Sequence, residues 1–132
     1  MQRDLNYRRA RTLTMGPGPA RELSTLLDSA CHATARLTLF FPPDHIAIQA
    51  RYRQGDAEGL DAFKQTVRGA VERHNARCPS KAALFDFLDA NTLTTEGLRY
   101  GRSPNYVDLV HFRPPAGLWL LEQMRLNTKT SN

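Results

Sequence analysis

Two short apolar runs constrain this chain most: Leu37-Thr38-Leu39-Phe40-Phe41, halted by Pro42-Pro43, and AALFDF at residues 82–87. Each is rich in strand formers, too short for a helix with a buried face, and bounded by breakers, so each predicts a buried strand. Between them lie a short helical stretch at 44–54, opened by Asp44 and stopped by Gly55, and a longer one at 57–77. The longer stretch carries Leu60, Phe63, Val67, Ala70, Val71 and His74 at helical spacing and is closed by Pro79. A helix is predicted before the first strand, from Pro19 to Ala33, with Leu23, Leu26, Leu27, Ala30 and Cys31 as its apolar stripe. Another follows the second strand from Pro114 to Leu126, with Leu118, Leu121, Met124 and Trp119 on its inner side. Helices alternating with strands point to an α/β fold with parallel strands. Two strands fall short of an independently stable sheet, so the pattern reads as the end of a larger domain.

Charge divides the chain. Five arginines (Arg3, Arg8, Arg9, Arg11 and Arg21) fall in the first 21 residues against Asp4 alone, and the whole chain carries a formal net charge of +5. Residues 1–18 read as a basic, flexible arm ending in Gly16-Pro17-Gly18, and 19–132 as the folded part. The arm holds only one aromatic, Tyr7, so it lacks the stacking surface of a specific nucleic-acid binder. No run approaches the length of a transmembrane helix, and the N-terminus lacks the apolar core of a secretory signal, which makes the cytoplasm the default location, or the periplasm if the parent protein is longer. Cys31 and Cys78 are too few for a disulfide framework, and reduced thiols are the default expectation. A zinc reading would join them to His32 and His74, but adjacent Cys31 and His32 point in different directions on a helix, so no metal site is expected.

The segment best suited to chemistry is Asp108-Leu109-Val110-His111. A carboxylate three residues before a histidine on a turn can accept the ring N–H, which fixes the tautomer and frees the other nitrogen to take a proton from a hydroxyl. Eight Asp and four His produce such a spacing by chance in about one chain of this composition in five, so the plain alternative is a surface Asp and a loop His. Asp86 and Asp89 flank the exit of the second strand, where α/β sites form, although capping is the simpler role for Asp86. His45 follows the first strand at the same edge and is either a substrate-pocket residue or the cap of the next helix. Thr94, Thr95 and Glu96 either fix the loop beneath His111 or belong to a solvated loop.

Taken together, LTLFFPP (37–43), Phe63-Lys64, ALFDF (83–87), Thr94-Thr95-Glu96 and DLVHFRPPAG (108–117) resemble bacterial SGNH/GDSL hydrolase-like proteins over residues 19–127. The resemblance implies a partial three-layer, flavodoxin-like domain with few parallel strands flanked by helices. It implies that Asp108 orients His111 and that His111 is general base and acid in ester hydrolysis or O-acyl transfer, with no cofactor. It leaves His45 at the substrate pocket. The chain departs from the family in lacking a G-D-S-like serine after a strand or a G-x-S-x-G elbow; Ser24, Ser29, Ser80, Ser103 and Ser131 all lie in other contexts. The expectation is therefore the C-terminal portion of such an enzyme, acting on an acyl ester only when an upstream segment completes it. A non-enzymatic basic α/β module is the other reading, pairing with a copy of itself or a partner chain across its open sheet edge.

Overall fold

The computed structural model describes residues 15–100 and 102–129; most of the arm expected at 1–18 lies outside them. Among the described residues are four helices and two strands: α1 (Pro17–His32), β1 (Leu37–Phe41), α2 (Ile46–Gly55), α3 (Gly59–Arg77), β2 (Ala82–Asp86) and α4 (Pro114–Lys129). β1 and β2 pair as a two-stranded parallel sheet, and α2 and α3 make the crossover that parallel pairing requires. The α/β alternation expected from the apolar runs is what the chain forms.

α1 begins two residues earlier than its periodicity suggests. Gly16 is the N-cap, and Pro17 and Pro19 fall in the first turn, where the missing N–H groups cost nothing. The helix closes in a Schellman-type turn: Ala35 N–H donates to Ala30 O at 2.9 Å and Thr34 takes a left-handed φ of 53°.

Contacts group the described residues into two compact units, one of 15–39 with 51–84, the other of 40–50 with 85 onwards. In the first, Leu27 of α1, Val71 of α3 and Ala82 of β2 form a core, with Leu23, Leu37, Leu39, Ala70 and Leu84 packed on it. Leu26, expected on the buried stripe, is exposed instead. Asn75 ties α3 to the start of β2: its Oδ1 accepts the Ala82 N–H at 2.7 Å and its Nδ2 donates to Ala82 O at 2.9 Å. His74 is buried and its Nε2 donates to Ser80 O at 2.9 Å, a structural role.

The reduced-thiol expectation is overturned in this unit. Cys31 and Cys78 form a disulfide between the end of α1 and the C-cap of α3, with Cα atoms 5.6 Å apart and a sequence separation of 47. Counting cysteines could not show this, because their proximity is created by the α1–α3 packing. The bond also uses both sulfurs that the zinc alternative needed.

The second unit has its own core of Phe87, Leu93, Tyr106, Ala116, Leu120 and Met124, with Phe85, Phe112 and Trp119 against it. The Trp119 and Phe87 rings meet edge to face at 5.9 Å. The buried side of α4 is therefore Ala116, Leu120 and Met124, a strict i, i+4 row. Leu118 and Leu121, expected inside, are 68% and 61% exposed. A helix so apolar presents two candidate stripes, and only packing selects one.

Candidate active site

The segment between Asn105 and Arg113 is a short hairpin-like loop. Tyr106 and Phe112 form an antiparallel bridge, Val107 N–H donates to His111 O at 2.7 Å, and Arg113 N–H donates to Asn105 O at 2.7 Å. Residues 107–111 are thereby folded back into a tight turn that holds both members of the D-x-x-H pair.

Asp108 divides its two oxygens between two tasks. Oδ1 accepts the backbone N–H groups of Val110 and His111, each at 2.8 Å, which shapes the turn. Oδ2 accepts the Nδ1–H of His111 at 2.7 Å. Burial raises the Asp108 carboxyl, but the bonds from the His111 ring and the two amides outweigh it and hold the group below its ordinary value. An ionised Asp108 can only accept, so Nδ1 carries the proton and the neutral ring presents a bare Nε2. That Nε2 has no hydrogen-bond partner among the described residues. The His111 side chain is 71% exposed while that of Asp108 is 27% exposed, so the orienting carboxylate is sheltered and the ring is accessible.

The loop is anchored from below. Glu96 accepts the Asn105 backbone N–H at 3.1 Å and its Nδ2–H at 2.7 Å. Arg113 Nε donates to Tyr106 O at 3.1 Å. The Tyr106 hydroxyl donates to Pro43 O from a fully buried position. Burial, reinforced by the Glu96 and Asp44 carboxylates, pushes that phenol well above its usual value, so it stays a protonated donor. His45 N–H donates to Leu109 O at 2.9 Å, inside the D-x-x-H block itself.

His45 is only 4% exposed and both its ring nitrogens are engaged. Nδ1 accepts the Ala47 N–H at 3.1 Å, and Nε2 donates to Glu96 O at 2.9 Å. It opens α2 and braces the loop. Of its two sequence-level roles, this geometry matches the helix cap and supplies no free nitrogen for a substrate. Asp86 accepts the Leu88 N–H at 3.0 Å, a local cap at the end of β2. Asp89 offers its backbone carbonyl to Asn91 Nδ2 at 2.8 Å. Thr94 is wholly buried and its backbone carbonyl accepts the Ile46 N–H, whereas the bonds from this segment to the 105–113 loop are those of Glu96. Three further braces escaped sequence reasoning. Tyr106 and Asn105 sit in a stretch without periodicity, and Gln49, whose Nε2 donates to Asp44 O and Leu88 O at 2.7 Å each, looks like any helical glutamine.

Beside Phe112, an apolar groove of about 420 Å³ runs between Phe40 and one side of α4, lined by Gly117, Leu118, Leu121 and Met124. Among the described residues no group of three His, Cys, Asp or Glu side chains is placed to hold a metal, and no helix is long and apolar enough to cross a membrane. No protein-family model matches the chain, and no curated protein or solved structure matches it either.

Proposed function

We propose that the chain is the C-terminal portion of an SGNH-type serine ester hydrolase or O-acyltransferase, in which Asp108 and His111 are the orienter and the general base. The observation that carries this reading is the 2.7 Å bond between Asp108 Oδ2 and His111 Nδ1 in a turn whose shape the same carboxylate maintains. The sequence resemblance sets the pair in a flavodoxin-like, three-layer domain of which this chain holds two strands. In the reaction, Nε2 takes the proton of a serine hydroxyl as its oxygen attacks the ester carbonyl. The resulting imidazolium is stabilised by Asp108 and returns the proton to the leaving alkoxide. The serine belongs to a segment upstream or on a neighbouring polypeptide, and the full rate waits for it and its oxyanion donors. No cofactor is called for.

The test is hydrolysis of p-nitrophenyl acetate by the purified chain, alongside His111→Ala and Asp108→Ala. Lacking the serine and its oxyanion donors, the chain alone is expected to hydrolyse the ester no faster than either variant. Hydrolysis that both substitutions abolish would overturn the split-site proposal, because a nucleophile would then lie within this chain.

One observation favours a second reading, a non-enzymatic module that docks a partner chain or a second copy of itself. The groove between Phe40 and α4 is apolar, and Leu118 and Leu121 stand exposed beside it. Such patches mark surfaces that something covers. The second reading is tested by sedimentation: a concentration-dependent dimer lost in Leu121→Asp would support it, and a monomer at all concentrations would remove self-association.

A further inference from the structure

What holds α1 in place is small in area and large in covalent leverage. On its 16 residues only Leu27 and Ala30 are buried, with Leu23 packed partly beneath them. Among the described residues its polar tie to α3 is an ion pair between Asp28 and Arg77, exposed on both sides. Exposed pairs of this kind contribute little, and an isolated helix of this length is marginal in water. The Cys31–Cys78 bond lies one turn beyond Asp28 and one residue beyond Arg77, at the same helix contact.

We propose that this disulfide is a covalent latch for α1: oxidation docks the helix, and in the dithiol form α1 leaves the rest of its unit. Its departure removes Leu27 from the core it forms with Val71 and Ala82, on which Leu37, Leu39 and Leu84 pack. The bond closes a loop 47 residues long, a constraint worth roughly a thousandfold in equilibrium on the chain-entropy account. Closure transfers two electrons and two protons from the Cys31 and Cys78 thiols to an oxidised dithiol protein, whose own disulfide becomes a dithiol. Opening runs the exchange backwards. The sulfur open to attack is that of Cys31, because Cys78 is almost wholly buried. An external thiolate joins Cys31 in a mixed disulfide and expels Cys78, and the donor's second thiol then releases Cys31 as its own ring disulfide closes. Setting the latch requires an oxidising compartment. The loop 105–113 is anchored through residues 43, 45, 96 and 105–113, none of them on α1.

Hydrogen exchange on the full chain tests the latch, comparing the oxidised protein, the protein reduced with a phosphine, and Cys31→Ser/Cys78→Ser. In both dithiol-free states, amides 20–32 should lose protection by at least tenfold and an apolar-surface dye should bind. The amides of Val110 and His111 should keep theirs. Leu27→Ala with the bond intact weakens the same contact and should retain α1 protection within tenfold. Unchanged α1 protection after reduction would overturn the proposal, as would a uniform loss across the chain. Equal loss in oxidised Leu27→Ala would show that packing rather than the bond is the latch. Two titratable thiols in protein folded under oxidising conditions would overturn it outright.

Discussion

The division of labour between the two oxygens of Asp108 can be separated by one substitution, Asp108→Asn. The asparagine Oδ1 remains a good acceptor for the Val110 and His111 amides, so the turn should persist. The amide nitrogen replaces Oδ2, cannot accept from the ring, and itself donates towards Nδ1. The imidazole must then carry its proton on Nε2, the nitrogen that the proposed chemistry needs bare. Losing the charge from three hydrogen bonds in a partly sheltered site costs about 0.5–1.5 kcal/mol in stability. A general base turned to the wrong tautomer costs far more in rate, on the order of 10²–10⁴ in the complete enzyme. Nitrogen-15 spectra of His111 at neutral pH should therefore show the Nδ1–H form in the parent chain and the Nε2–H form in the variant, with little change in the amides of the turn. The acid limb supplies an independent check. The folded carboxyl lies below its unfolded value, so its contribution is fully present above the unfolded value near pH 4 and is lost as pH falls through the lower, folded one. Urea unfolding from pH 6 to pH 2 should show that contribution in the parent and not in Asp108→Asn. Identical tautomers in the two proteins would refute the orienting role, and collapse of the turn in the variant would refute the split between the oxygens.

Two further substitutions read the scaffold. Tyr106→Phe strands the carbonyl of Pro43 and should cost about 1–2 kcal/mol by urea denaturation, with fraying of the 105–113 loop in hydrogen exchange. Thr34→Gly relieves a β-branched residue at φ 53° in the cap of α1 and should stabilise by about 0.5–1 kcal/mol, read as a raised midpoint; a destabilised variant would mean the Schellman-type turn is not formed in solution.

Which parts of this molecule were legible in advance follows from the reach of the interactions involved. Pro19, Gly55 and the Pro42-Pro43 stop act on their own neighbourhood, so element order and strand positions could be read directly, with ends of all four helices shifted by up to three residues. The α4 stripe was misjudged because both of its sides are apolar, and its burial depends on where Phe85, Phe87 and Phe112 stand. His45 could be placed at the strand edge but not assigned, since the carbonyl of Glu96 that engages its Nε2 lies 51 residues away.

The Asp108–His111 pair was determined by the sequence alone, because a contact between residues three apart needs only a turn, and Asp108 builds that turn with its own carboxylate. The strands and the helical periods were likewise written in local preference. Tertiary structure alone decided that Cys31 meets Cys78, that Tyr106 reaches Pro43, and that Leu118 and Leu121 face outwards. Each of these depends on where distant segments come to lie, and no periodicity or spacing along the chain encodes a distance between segments that only packing brings together.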